Sequence, residues 1–249
     1  VREALARSPL PKDRPLRILD VGAGTGAAGF SALHRLSSSG YGPVDFQALD
    51  KSEASLPILG KIFHDLKAAC WPRATLSTHC ADLLQSTALP GPWDLVLVSY
   101  ALNEVFMNRS EEEVRNWIRA MVANLADDGL FLICEPVVKA SSERLEKIRD
   151  WLAAGRLARI LAPCRHSKPC PMLREERNWC HDVRSWRPPG SLAFLNRKLY
   201  HEIEVLKFSF LALARSSAVM DNGEPAGARL VAPVMERKGL FEMKACAAD

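Results

Sequence analysis

A run of apolar residues, Leu16 to Val21, leads straight into three glycines at alternate positions, Gly22, Gly24 and Gly26, and then into AAGFSALHRL, which has helical spacing. Strand, sharp turn and helix in that order admit few folds. Glycine suits such a turn because the backbone must bend tightly and a ligand can approach with no Cβ in its way. Dinucleotide-binding folds place pyrophosphate at a similar turn, so the glycines define a nucleotide-type turn without choosing the nucleotide.

The rest of the first half alternates in the manner of a parallel sheet. Val44 to Leu49 is a second strand ending on Asp50, and a helix over about 52–69 carries Leu56, Leu59, Ile62, Phe63 and Leu66 on one face. Ala74 to His79 reads as a third strand. Asp94 to Ser99 is a continuous apolar strand of the buried parallel type. Ser110 followed by three glutamates opens a helix with a side-chain cap and acids where the helix dipole favours them. Asp127-Asp128-Gly129 is its expected stop, before a fifth strand from Leu130 to Cys134. Strands and helices alternating over short connections predict an α/β fold, a doubly wound and mostly parallel sheet covered on both faces.

The alternation then breaks. Residues 139–160 read as helical, and 162–192 lose any apolar period. Val205 to Ala214 is a late strand, with Gly239 to Lys244 as its expected partner. The organisation expected is a single domain over 1–249, with 139–200 as a helical and Cys-rich insertion before the last strand pair.

A chain of 249 residues can bury the core such a domain needs. With 48% hydrophobic and 25% charged residues it is excluded from the disordered classes. No apolar run approaches the roughly 18 residues of a membrane span, and the first fifteen residues lack the apolar stretch of a secretory signal; no membrane partner is expected. The chain opens on Val1, which leaves room for an upstream segment. Charge is uneven: residues 139–207 hold 15 Lys and Arg against 8 Asp and Glu. Arg165, Lys168, Arg174, Arg177, Arg184 and Arg187 are interleaved there with Trp179 and Trp186, a composition suited to phosphate backbones and stacked bases.

Three acids distinguish the glycine turn from that of a dehydrogenase. Asp20 lies two residues before Gly22, where a carboxylate can order the turn near a cofactor's amino-acid end. Asp50 closes the second strand 24 residues after Gly26, where it can accept both ribose hydroxyls. Asp82-Leu83 follows the third strand, where an acid can sit beside an adenine amino group. These positions, with Ser99 at the end of the fourth strand, are the expected S-adenosylmethionine site, in the crevice outside the carboxyl ends of the strands. Over residues 14–136 the pattern resembles the class I methyltransferases. After the fourth strand stands Ser99-Tyr100-Ala101-Leu102-Asn103-Glu104. It is neither the Asn/Asp-Pro-Pro-aromatic motif of exocyclic-nitrogen methylation nor the cysteine of cytosine C5 methylation. Asn103 and Glu104 are open to a substrate, cofactor or capping role, and no catalytic base is identified.

Seven cysteines, without an export signal, favour metal or core roles over disulfides. Cys70, Cys80 and Cys134 read as core or surface residues. Residues 162–181, APCRHSKPCPMLREERNWCH, space Cys164, Cys170 and Cys180 as ligands in a loop. Three thiolates need a fourth ligand; Cys246 is the first candidate, and His166 and His181 are the alternatives. Zinc suits either three cysteines with a histidine or four cysteines, and an iron–sulfur cluster suits four cysteines with neighbouring prolines.

The combination of LDVGAGTGAA, SYALNEV, CEP, APCRHSKPCPM, NWCH, KFSFLAL and RLVAPVMERKGLFEMKAC resembles, over nearly the whole chain, the methyltransferase-like assembly factors of the mitochondrial small ribosomal subunit and their bacterial relatives. That resemblance implies a 4Fe–4S cluster on Cys164, Cys170, Cys180 and Cys246. It also implies action on the small ribosomal subunit or its rRNA, in a mitochondrial matrix or a bacterial cytoplasm according to the host. The function expected is S-adenosylmethionine-dependent methyl transfer there. The alternatives are a non-catalytic assembly factor that retains cofactor and cluster, and a zinc-bearing methyltransferase of a protein or small molecule.

Overall fold

A computed structural model of the chain describes Leu5 and residues 10–107, 109–164, 166–174, 179–201, 203–216, 228–231 and 234–247. The main sheet is built from β1 (Leu16–Val21), β2 (Val44–Asp50), β3 (Ala74–Cys80), β4 (Trp93–Ser99), β5 (Leu125–Pro136), β6 (Ala158–Ala162), β7 (Asp182–Ser185) and β8 (Val205–Arg215). Their order is β3-β2-β1-β4-β5-β8-β6, with β7 also on β8. Strands β1 to β5 pair in parallel, and β8 runs antiparallel to β5, β6 and β7.

Both faces of the sheet are buried, which is why its central strands read as unbroken apolar runs. On one face Leu16, Ile18, Phe46, Leu95, Leu97, Leu130 and Leu132 pack with Leu33, Leu36, Leu59 and Phe63 of α1 (Ala27–Ser38) and α2 (Ser55–Cys70). The alternate residues Leu19, Val21, Val96, Val98, Phe131 and Ile133 face the other way. There they meet Trp117, Ile118 and Met121 of one helix and Leu145, Ile148 and Leu152 of another. Between β4 and β5 lie a single turn, α3 (Leu102–Val105), and α4 (Glu111–Ala123); α5 (Lys139–Ala154) follows β5. Helix α4 starts on the expected cap: Ser110 Oγ accepts from Glu113 N, and the Glu113 carboxylate accepts from Ser110 N, a reciprocal capping box.

Four boundaries differ from the sequence expectation. Helix α2 begins at Ser55 rather than 52. Asp127-Asp128-Gly129 does not stop α4 but lies within β5: Trp93 pairs with Leu125 and Leu95 with Leu130, so the residues between bulge from the ladder. The helix expected to reach 160 ends at Ala154, where Gly155 caps it and Arg156 turns to φ 52; Ala158–Ala162 is then a strand. Finally, Gly239–Lys244 does not partner β8. Both edges of β8 are already taken, by β5 on one side and by β6 and β7 on the other. Leu240–Glu242 instead forms a hairpin (β11) with Met235–Arg237 (β10), and Arg229–Leu230 (β9) pairs with Ala245–Cys246 (β12). After β7, α6 (Gly190–Leu199) buries none of its residues.

Strands β6 and β7 lie in line on the same side of β8. Ala162 pairs with Ala212, and Asp182 pairs with Phe208. The chain thus leaves one edge after Ala162 and rejoins it at Asp182, only four residues further along β8, about 13 Å at the rise of a strand. Cys164, Cys170 and Cys180 all lie in the segment let into this edge, whose described part includes a short helical turn, Pro171–Arg174.

Candidate cofactor crevice and cysteine pocket

The strand order reverses between β1 and β4, the point outside whose strand ends open α/β sheets hold their ligands. Gly22, Gly24 and Gly26 have φ of 73°, 53° and 93°, which only glycine adopts without strain. Gly22 N and Ala23 N donate to Leu49 O (2.8 and 3.0 Å), pinning the turn to the end of β2. A Cβ on Gly22 would lie 2.4 Å from the Ala101 Cβ, so this glycine lets the turn and the segment after β4 touch; one on Gly24 would meet nothing within 4 Å. The turn is braced at its base and open at Gly24.

The acids take different parts. Asp50 bridges the crevice, accepting from Gly24 N through Oδ2 (2.7 Å) and from Ser52 N through Oδ1 (2.8 Å); a ribose would use its remaining lone pairs. Asp20 is fully buried, and its Oδ2 accepts from Gly29 N at 2.9 Å, binding the end of β1 to the first turn of α1. Its Oδ1 has no partner among the described residues, and burial raises its pKa to about 7. Asp82 is exposed and caps the short turn Leu83–Ala88 by accepting from Leu84 N (2.9 Å). Leu83 is buried, and its carbonyl accepts from Trp117 Nε1 (3.3 Å). Ser99 is half-buried at the end of β4, opposite Cys134 of β5. A cradle of positive-φ glycines, an orphaned buried carboxylate oxygen and acids at three strand ends fit an adenosyl amino acid cofactor.

Glu135 belongs with these groups and was assigned no role from sequence. Almost wholly buried at the end of β5, it accepts from Leu102 N (3.0 Å) and Asn103 N (3.1 Å), the free donors at the start of α3. Burial raises its pKa to about 7 against those two bonds. It holds the SYALN segment beside the glycine turn. An acid ending β5, in series with those ending β1 and β2, was the available signal.

The second site lies behind the interrupted edge. Cys164, Cys170 and Cys180 line one pocket with Glu146, Arg149 and Arg229. Cys246, opposite Arg229 in the β9–β12 pair, approaches from the chain's end: its Sγ lies 3.3 Å from His166 Nε2, and Cys164 acts electrostatically on its thiol. The other candidate ligands are occupied differently. His166 is also held by Arg149 at Nδ1 (3.3 Å), and His181 Nδ1 faces Trp179 O (3.0 Å). Among the described residues no three His, Cys, Asp or Glu side chains converge closely enough to hold a single metal ion.

The pocket's frame is a buried polar stripe on α5 that an apolar-period search passes over. Ser142, Glu146, Arg149 and Asp150 recur at helical spacing. Glu146 accepts from Cys180 N (2.6 Å), and Asp150 accepts from Cys170 N (2.9 and 3.0 Å). Ser142 Oγ meets Ser209 Oγ (2.6 Å), which donates to Cys180 O (2.9 Å). Arg149 donates to Asp150 and to the carbonyls of His166 and Lys168. Arg229 Nη1 reaches Cys180 Sγ at 3.1 Å, and its Nη2 pairs with Asp182. Burial pushes the Cys170 thiol up to about 12 and raises those of Cys180 and Cys246. Arg149 Nε and Glu146 Oε2, both buried, have no partner among the described residues. Three thiols line this pocket and the fourth approaches it from Cys246, beside the buried Arg149 and the half-buried Arg229, a donor set whose sulfurs and neighbouring positive charges fit an anionic thiolate-bound group.

Outside the crevice, Lys168, Arg174, Arg184 and Arg187 are exposed, with Arg184 engaged by Asp182. Trp179 and Trp186 are half-buried; Arg165 and Arg177 lie outside the described residues.

Sheet order, reversed β8 and glycine turn define a class I methyltransferase-type α/β fold. The same fold occurs in a candidate methyltransferase of Listeria monocytogenes, 14% identical with a TM-score of 0.51 over 90% of this chain and 60% of that one. It occurs also in one of Thermoplasma acidophilum, 12% identical with a TM-score of 0.50 over 81% and 69%. The chain belongs to the family described as mitochondrial small ribosomal subunit Rsm22, whose model matches residues 2–249. No curated protein matches it. Among the described residues no helix is long and apolar enough to cross a membrane.

Proposed function

We propose that this chain binds S-adenosylmethionine in the crevice of Asp20, Gly22, Gly24, Gly26, Asp50, Asp82, Leu83 and Ser99 and acts on the small ribosomal subunit or its rRNA. In the same reading a 4Fe–4S cluster on Cys164, Cys170, Cys180 and Cys246 organises the edge loop. The observation that carries the cofactor reading is the Asp50 bridge, which fixes a strand-end carboxylate against the backbone of the open Gly24. Asp50→Ala should weaken S-adenosylmethionine binding by about 1–3 kcal/mol, the cost of leaving polar groups unmet. Calorimetry decides it: equal affinity in the variant, or no heat with wild type, rejects the site. The family's description supports the ribosomal target and a mitochondrial matrix setting.

Exposed Lys168, Arg174 and Arg187, in a segment of the chain that also carries Trp179 and Trp186, support direct RNA contact. Affinity for small-subunit rRNA should fall steeply as salt rises from about 50 to 200 mM, as counterion release requires. A flat salt profile in a filter-binding assay removes that contact.

A non-catalytic assembly factor is the second reading. It is favoured by one observation: the segment after β4 spends its first free N–H groups on Glu135 and brings no identified base to the crevice. Labelled methyl transfer to assembling subunits separates the two, since alignment alone can drive methyl transfer. Label in rRNA establishes the enzyme; binding without label establishes the factor.

A further inference from the structure

Resting on the cluster reading above, we propose that Arg149 and Arg229 are positioning residues, Arg229 holding the Cys180 sulfur and Arg149 the segment between Cys164 and Cys170, and that they set the electron affinity of the centre the cysteines hold. The geometry is specific. Arg149 is 2% exposed, lines the cysteine pocket and is locked by Asp150 and by two carbonyls of the segment between Cys164 and Cys170. Arg229 places Nη1 3.1 Å from Cys180 Sγ while Asp182 holds its other nitrogen. The two come from opposite sides, one from a sheet-covering helix and one from the two-residue strand that pairs with Cys246. An N–H bond to a ligating thiolate, from a group that carries a full positive charge, would favour the more negative, reduced state of such a centre. Asp182 and Asp150 offset part of that charge, so the directed N–H···S bond from Arg229 carries the selectivity.

The test uses the full chain loaded anaerobically with iron and sulfide, titrated with dithionite and mediators, in wild type and in Arg229→Gln, Arg229→Lys and Arg149→Lys. Midpoint potential is read on the loaded fraction only, so a lower loading yield does not disturb it. Arg229→Gln should make one-electron reduction at least tenfold less favourable, about 59 mV more negative. Arg229→Lys, which keeps charge but loses the fork, should shift less in the same direction. The Fe–S stretching bands of wild type should move in D2O, and part of that sensitivity should vanish with Arg229. Wild-type midpoints and unchanged deuterium shifts in the loaded Arg229→Gln and Arg149→Lys proteins would overturn the clamp and leave these arginines a structural role. Wild type that takes up no iron and sulfide would reject the cluster itself, and the clamp with it.

Discussion

Replacing any one of Cys164, Cys170, Cys180 or Cys246 by Ser should reduce bound iron from about four atoms per chain to a small remainder and open the loop between β6 and β7 to protease. The expectation comes from how that loop is held. It leaves and rejoins one edge strand, buries few apolar side chains among its described residues, and is tied down where Cys170 N and Cys180 N donate to carboxylates of α5. Those bonds position the backbone, and a metal centre would supply the remaining order, because binding energy at such a site is folding energy. Cys246→Ser should also free the β9–β12 pair, since Cys246 faces Arg229 across it. Cys70→Ser and Cys80→Ser serve as controls, being remote from the pocket in the fold. Iron and sulfide analysis with limited proteolysis reads the result; wild-type iron in the Cys246 variant would return His166 or His181 to the fourth position.

Asp20→Asn should flatten the pH dependence of stability in the cofactor-free protein and stabilise it at pH 7.5. In an unfolded chain an Asp titrates near 3.9, whereas burial holds folded Asp20 at about 7. Between those values the native state keeps a proton the unfolded state has lost, so stability present below about pH 4 is lost as pH rises to about 7. The full effect is on the order of 4 kcal/mol for a shift of this size. Glu135, also raised to about 7, adds a slope of the same sign that the substitution leaves in place. Asn keeps an acceptor for Gly29 N and carries no charge to bury. Urea midpoints from pH 5 to pH 7.5 check this, and parallel profiles for variant and wild type would refute it.

Much of the first half of the chain was legible because its information is local. The nearly continuous burial of β1 and β4, the Ser110 capping box and the positive-φ glycines follow from residues adjacent in sequence. The strand-end acids were legible too, because a strand's last residue is located by the strand itself. What each acid bonds was less so: Asp50 was expected to face a ribose, and in the structure its carboxylate accepts from Gly24 N and Ser52 N. Glu135 escaped notice because its role lies in a segment more than thirty residues away, the N–H groups of Leu102 and Asn103.

By itself, then, the sequence determined the strand–turn–helix alternation, the glycine turn and the set of cysteines, each a matter of period, backbone conformation or composition. Only the tertiary structure decided who neighbours whom. It let the cysteine loop into a broken edge strand, gave both sides of β8 to β5, β6 and β7, and sent Leu240–Glu242 to a separate hairpin. It also turned Ser142, Glu146, Arg149 and Asp150 of α5 inward as the frame for that loop. The physical reason is that an apolar period marks which face of an element is buried, not against what. Pairing of an edge, and the bonding of a buried charge, depend on groups far away in the chain, and these meet only when the sheet has closed around them.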